Sequence, residues 1–78
     1  MKDQYLKALQ AEKGGDWDKA HKIVQDIQTQ EASWIHAYLH RKEGDRWNAN
    51  YWYERAQKPF FEGTLDEEWE QIWEALSK

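Results

Sequence analysis

The sequence predicts an all-α fold: two antiparallel helical hairpins stacked on one another, followed by a C-terminal capping helix. Three observations predict it. The only proline, Pro59, and the four glycines fall between segments of helical period rather than inside them. Helix-capping residues stand where the segments begin: Asp16 and Asp45 each follow a glycine, and Thr64-Leu65-Asp66-Glu67 has the form of a capping box. A shift of 29 positions also lays the two halves on each other, with Ala8 on Ala37, Gly15-Asp16 on Gly44-Asp45 and Ala20 on Ala49.

The first helix is expected from about Asp3 to Lys13. Leu6, Leu9 and Lys13 lie on one side, Tyr5 and Ala8 widen it, and Gly14-Gly15 ends it. The second follows Asp16 and runs to about Gln28. Its apolar stripe is Ala20, Ile23, Val24 and Ile27, with Trp17 at the edge. The third is expected from about Glu31 to Glu43, ended by Gly44. The fourth follows Asp45 and reaches about Gln57, because Pro59 prevents continuation. In the fifth, Leu65, Trp69, Ile72, Trp73 and Leu76 recur at i, i+4, i+7, i+8 and i+11, while the opposite face is acidic. One domain over 1–78 results, with hairpins at 3–28 and 31–57 and the capping helix at 64–77.

Composition narrows the function. A chain of 78 residues without cysteine has neither disulfides nor thiolate metal ligands to stabilise it. Six Trp, four Tyr and two Phe must supply the core. The net charge of −4 is uneven: residues 59–78 hold one Lys against six acids, while residues 1–58 hold 10 Lys/Arg against nine. No basic stripe exists, so nucleic acid is not an expected partner. No apolar run is long enough to span a membrane, and the first ten residues lack the apolar core of a signal peptide, so a cytoplasmic location is the expectation. No phosphate-binding glycine loop, Ser-His-Asp set or paired catalytic carboxylates can be argued, so no cofactor and no catalytic residue is assigned.

The repeat resembles the tetratricopeptide family. The first copy offers Gly15-Asp16-Trp17-Asp18-Lys19-Ala20, then Val24 and Ile27. The second offers Trp34, Ala37, Gly44-Asp45, Ala49, Tyr53, Ala56 and Pro59. The period is 29 rather than the family's 34, and His36 and His40 take inner positions that the family usually gives to apolar or aromatic residues. The second half also resembles a small, uncharacterised bacterial family of helical proteins carrying W-x-H-A-x-L-H-R-x-E-G-D, a resemblance that implies no function. The tetratricopeptide resemblance implies a protein-interaction module or adaptor. By matching position, the first helices of the hairpins would line a groove, bringing Tyr5, Leu9, Trp34 and Tyr38 to a peptide or protein partner, with Arg41 beside them. The alternative is that these side chains pack on the fifth helix. The first helix has no lid, so a homodimer through it is a further expectation.

Two other sets of residues invite chemistry. His36 and His40 stand four apart on the third helix, so they share a side, and His21 on the second helix can approach them if the hairpins stack. His-x3-His on a helix can chelate zinc or a similar ion, with His21, Glu43 or Asp45 as a third ligand. The alternative is a histidine pair hydrogen-bonded inside a polar core. The segment lacks the glutamate that a zinc peptidase uses as base. On the fourth helix Asn48, Tyr51, Trp52 and Arg55 form one stripe that could hold a carboxylate or other polar ligand. Its alternative is structural: Arg55 stacked on the aromatics, and Asn and Tyr satisfying the histidines. A small-molecule or metal binder centred on His36, His40, Asn48, Tyr51 and Arg55 is thus the alternative to the interaction module.

Overall fold

Helix boundaries follow local capping chemistry. A computed structural model, describing residues 1–78, contains five helices and no strand: α1 (Lys2–Lys13), α2 (Trp17–Val24), α3 (Gln30–Lys42), α4 (Arg46–Arg55) and α5 (Leu65–Leu76). The carboxylates of Asp16 and Asp45 accept hydrogen bonds from Lys19 N and Asn48 N, at 3.0 and 3.2 Å. Thr64 and Glu67 form a reciprocal capping box. After α1 and α3 the chain reverses through Gly15 and Gly44, whose φ values of 93° and 86° are costly for any residue with a Cβ. No helix is long and apolar enough to cross a membrane.

The second helix is shorter than expected. It stops at Val24 because Thr29 caps the next helix, its hydroxyl accepting from Ala32 N at 3.1 Å. The chain must therefore leave helical geometry before Thr29, and the N–H of Ile27 satisfies the Val24 carbonyl in the turn. The Thr29 hydroxyl also lies 2.6 Å from Tyr5 Oη, tying this turn to α1.

Packing centres on α3. Residues Ala32 to Leu39 are buried without a break. Helix α4 packs along α3 and α2 along α1, while α2 also meets α3. Ala20, Ala37 and Ala49 are fully buried, and their small side chains let the backbones approach. Helix α5 packs on α3 and α1, one helix from each hairpin. The Trp69 indole anchors it by donating to the Leu9 carbonyl at 3.0 Å. The loop before α5 folds Phe60 against Tyr53, with ring centroids 4.9 Å apart, and the Arg46 guanidinium covers that phenyl ring at 4.4 Å.

A helix buried on all sides must find partners for its polar groups within the fold. Two acids supply them. Glu68 of α5 is fully buried and accepts from Trp34 Nε1 at 3.1 Å, Arg41 Nη1 at 2.9 Å and the Tyr53 hydroxyl. Glu12 of α1 is buried and accepts from the Tyr38 hydroxyl at 3.1 Å and from Lys42. Burial raises the pKa of Tyr38 and Tyr53, and the facing carboxylates raise it further, so both hydroxyls stay protonated and donate.

Candidate metal centre

The seam between α2, α3 and α4 gathers three histidines. His36 and His40 face one way from α3 because they are one helical turn apart. His21 reaches them from α2. The ring centroids of His21 and His36 are 4.6 Å apart, those of His36 and His40 4.9 Å, and those of His21 and His40 5.5 Å. One nitrogen from each ring can be chosen so that all three lie within 4.8 Å of one another.

Two tryptophans wall this cluster. Trp17 stacks on His21 one turn away on α2, at 4.9 Å and 10°. Its indole N–H donates to the Leu39 carbonyl at 2.7 Å, fixing the ring against α3. Trp52 of α4 stacks on His36 at 3.8 Å and 11°. Each indole therefore limits the rotation of one imidazole.

The rings differ in their partners. His40 Nδ1 lies 2.6 Å from Glu43 Oε1, a contact that leaves Nε2 as the free ring nitrogen. His40 is the only one of the three with a hydrogen-bond partner in the protein. His36 is only 5% exposed and makes no side-chain hydrogen bond within the protein, and its ring nitrogens keep access to solvent at the edge of the seam. Burial lowers its pKa to about 3, with His21 and His40 adding repulsion. His21 is also lowered, by burial and by His40, against the opposing fields of Glu43 and Asp18. At neutral pH both offer lone pairs rather than positive charge.

Carboxylates border the cluster. Glu43 and Asp45 gather about His40, with ligand atoms also within 4.8 Å of one another. Asp45 is engaged as the α4 cap and by Asn48 Nδ2 at 2.6 Å; those hydrogen bonds lower its pKa, so it remains an anion.

The α4 stripe expected to hold a ligand is divided. Trp52 reaches the histidines. Asn48 is turned to Asp45, and Tyr51 is 46% exposed. Arg55 packs outside, 5.3 Å from the Trp52 ring and 5.7 Å from the Tyr51 ring. Asn48, Tyr51 and Arg55 thus do not converge with His36 and His40 on one pocket.

The residues expected to line a groove are interior. Tyr5, Trp34 and Tyr38 are buried and the Arg41 side chain is 17% exposed. Trp34 and Arg41 are bound by Glu68 and Tyr38 by Glu12, as the burial of α3 requires. The acids that hold them went unassigned in the sequence. Glu68 stands at i+3 from Leu65 and i−4 from Ile72, and Glu12 at i+3 from Leu9, so helical period places each on its apolar face.

Compared with protein-family models, curated proteins and solved structures, the chain matches none.

Proposed function

We propose that this protein is a small metal-binding domain in which His21, His36 and His40 hold one divalent transition-metal ion. The observation that carries the reading is the convergence of three imidazoles from α2 and α3, one nitrogen of each within 4.8 Å of the others. Imidazole-only donor sets suit zinc, copper, nickel and cobalt rather than calcium or magnesium. Three protein ligands would leave one coordination position for water or an outside donor.

Electrostatics and the hydrogen bond to His40 fit the same reading. A dication in this seam would sit beside Glu43 and Asp45, with Asp18 near His21. The Glu43–His40 contact is the carboxylate–histidine pairing that orients a ligating ring. Tetrahedral zinc with Zn–N of about 2.0–2.1 Å puts its nitrogens about 3.4 Å apart, so the rings would close by roughly 1 Å. The interaction-module reading has less support at the face first assigned to it, because Tyr5, Trp34 and Tyr38 are buried there.

Equilibrium dialysis against Zn²⁺ and Cu²⁺ tests the proposal. One ion per chain is expected, with binding lost in His36→Gln and weakened at least tenfold in His21→Gln. Free metal at 100 times Kd should stabilise the fold by about 2.7 kcal/mol, raising Tm by roughly 10–20 °C. Unchanged affinity in a folded His21→Gln protein would remove the three-histidine site.

A further inference from the structure

The end of α4 lays a lysine beside an aromatic cavity. Gln57 takes a φ of 59°, and the N–H groups of Gln57 and Lys58 bond back to the Glu54 and Tyr53 carbonyls, both at 3.0 Å. Pro59 then prevents the helix from continuing. In this reversal the Lys58 side chain lies over Trp34, its ammonium 4.1 Å from the ring centroid.

Next to Lys58 is a cavity of about 490 Å³, lined by the rings of Trp34, Tyr53, Phe60 and Phe61. Its size falls within the range of small-molecule sites, about 300–1,000 Å³. The rings are held in place. Trp34 Nε1 and the Tyr53 hydroxyl both donate to the buried Glu68, so these two rings have spent their polar atoms inside the fold. Phe60 packs on Tyr53. Phe61 occupies space that a Cβ at Gly63 would enter, 2.6 Å from its ring.

The polar groups at the rim are few and exposed: Lys58, Glu62 and Gln71. Neither Lys58 nor Glu62 lies within ion-pair distance of an opposite charge, each other included. The Gln71 amide can donate or accept. A purely apolar ligand would leave both rim charges unmatched, and a simple aromatic anion would meet repulsion from Glu62. One cation and one anion held apart over an apolar cavity match a molecule that carries both charges and an apolar body. We propose that this cavity binds a free α-amino acid with an aromatic or large apolar side chain. That side chain enters between the rings, Lys58 meets the carboxylate, Glu62 meets the ammonium, and Gln71 bonds to either group. The site shares no residue with the histidine cluster.

Isothermal titration calorimetry with L-phenylalanine tests the proposal. A chelator in the buffer separates it from the metal reading, because amino acids also coordinate metal ions. One molecule per chain is expected, with a Kd of about 1 mM or tighter. Glycine leaves the rings uncovered and should bind at least about tenfold more weakly. N-acetyl-L-phenylalanine lacks the ammonium and L-phenylalanine amide lacks the carboxylate; each should bind about fivefold more weakly or worse. Lys58→Gln should erase the difference between phenylalanine and its amide while keeping the penalty for acetylation. Glu62→Gln should do the reverse. Both side chains are exposed, so helicity should not change in either variant. No saturable binding by about 10 mM, equal affinity for the three phenylalanine compounds, or discrimination that both variants retain overturns the proposal.

Discussion

Replacing Glu68 with alanine removes the acceptor that three side chains of the core share. The carboxylate is fully buried and takes hydrogen bonds from Trp34 at 3.1 Å, Arg41 at 2.9 Å and Tyr53. Arg41 keeps the Gly63 carbonyl and the Phe61 ring but loses its ion-pair partner. Breaking a buried ion pair by deleting one partner costs about 3–5 kcal/mol. A chain of 78 residues has about 4–12 kcal/mol of total stability at 0.05–0.15 kcal/mol per residue. Glu68→Ala should therefore remove at least about a quarter of the stability of the domain at 25 °C. Glu68→Gln keeps the volume and one acceptor oxygen but not the charge, and should lose about 1.5–3 kcal/mol. Urea unfolding followed by far-ultraviolet circular dichroism measures both. A loss under about 1 kcal/mol in Glu68→Ala would refute the argument that α5 pins α3 through this carboxylate.

Acidification should destabilise the fold through His36, whose folded pKa of about 3 lies below its unfolded value. The unfolded chain binds the extra proton below about pH 6.5, so stability falls as pH drops from there towards 3, by roughly 1–2 kcal/mol at pH 5. A urea midpoint that stays flat between pH 8 and 5 contradicts this, and His36→Gln should make the fall shallower, leaving the smaller part due to His21. Gln57 follows α4 with a φ of 59°, the left-handed region, where the turns after α1 and α3 use glycine. Gln57→Gly should raise stability by about 0.5–1 kcal/mol, less the entropy gained by the unfolded chain; a lower Tm would show that the side chain is itself stabilising.

Much of the fold is legible because its signals are local. Asp16, Asp45 and Thr64 cap helices at the positions their spacing indicates, since a cap needs only the next turn. The approach of His21 to His36 and His40 also follows from the sequence once the hairpins are laid side by side. The burial of Trp34, Tyr38 and Arg41 does not. Their partners, Glu68 and Glu12, lie 26 to 34 residues away, and only the docking of α5 across α1 and α3 brings them in. A polar residue on an inner helix reads as a functional group until its distant partner is placed. By that criterion the α3 residues facing α1 and α5 are accounted for. His36, which stacks on Trp52 and His40 but makes no side-chain hydrogen bond, is accounted for by no acid of α1 or α5.

The most direct test observes the imidazole nitrogens themselves. Long-range ¹H–¹⁵N correlation spectra of the three histidines at pH 7 should show neutral rings for His21 and His36. Titrated Zn²⁺ should then move one nitrogen on each of His21, His36 and His40 together, with a single end point at one ion per chain. Resonances that do not respond to Zn²⁺, or a response confined to one ring, would contradict a shared metal site and leave the histidines as core.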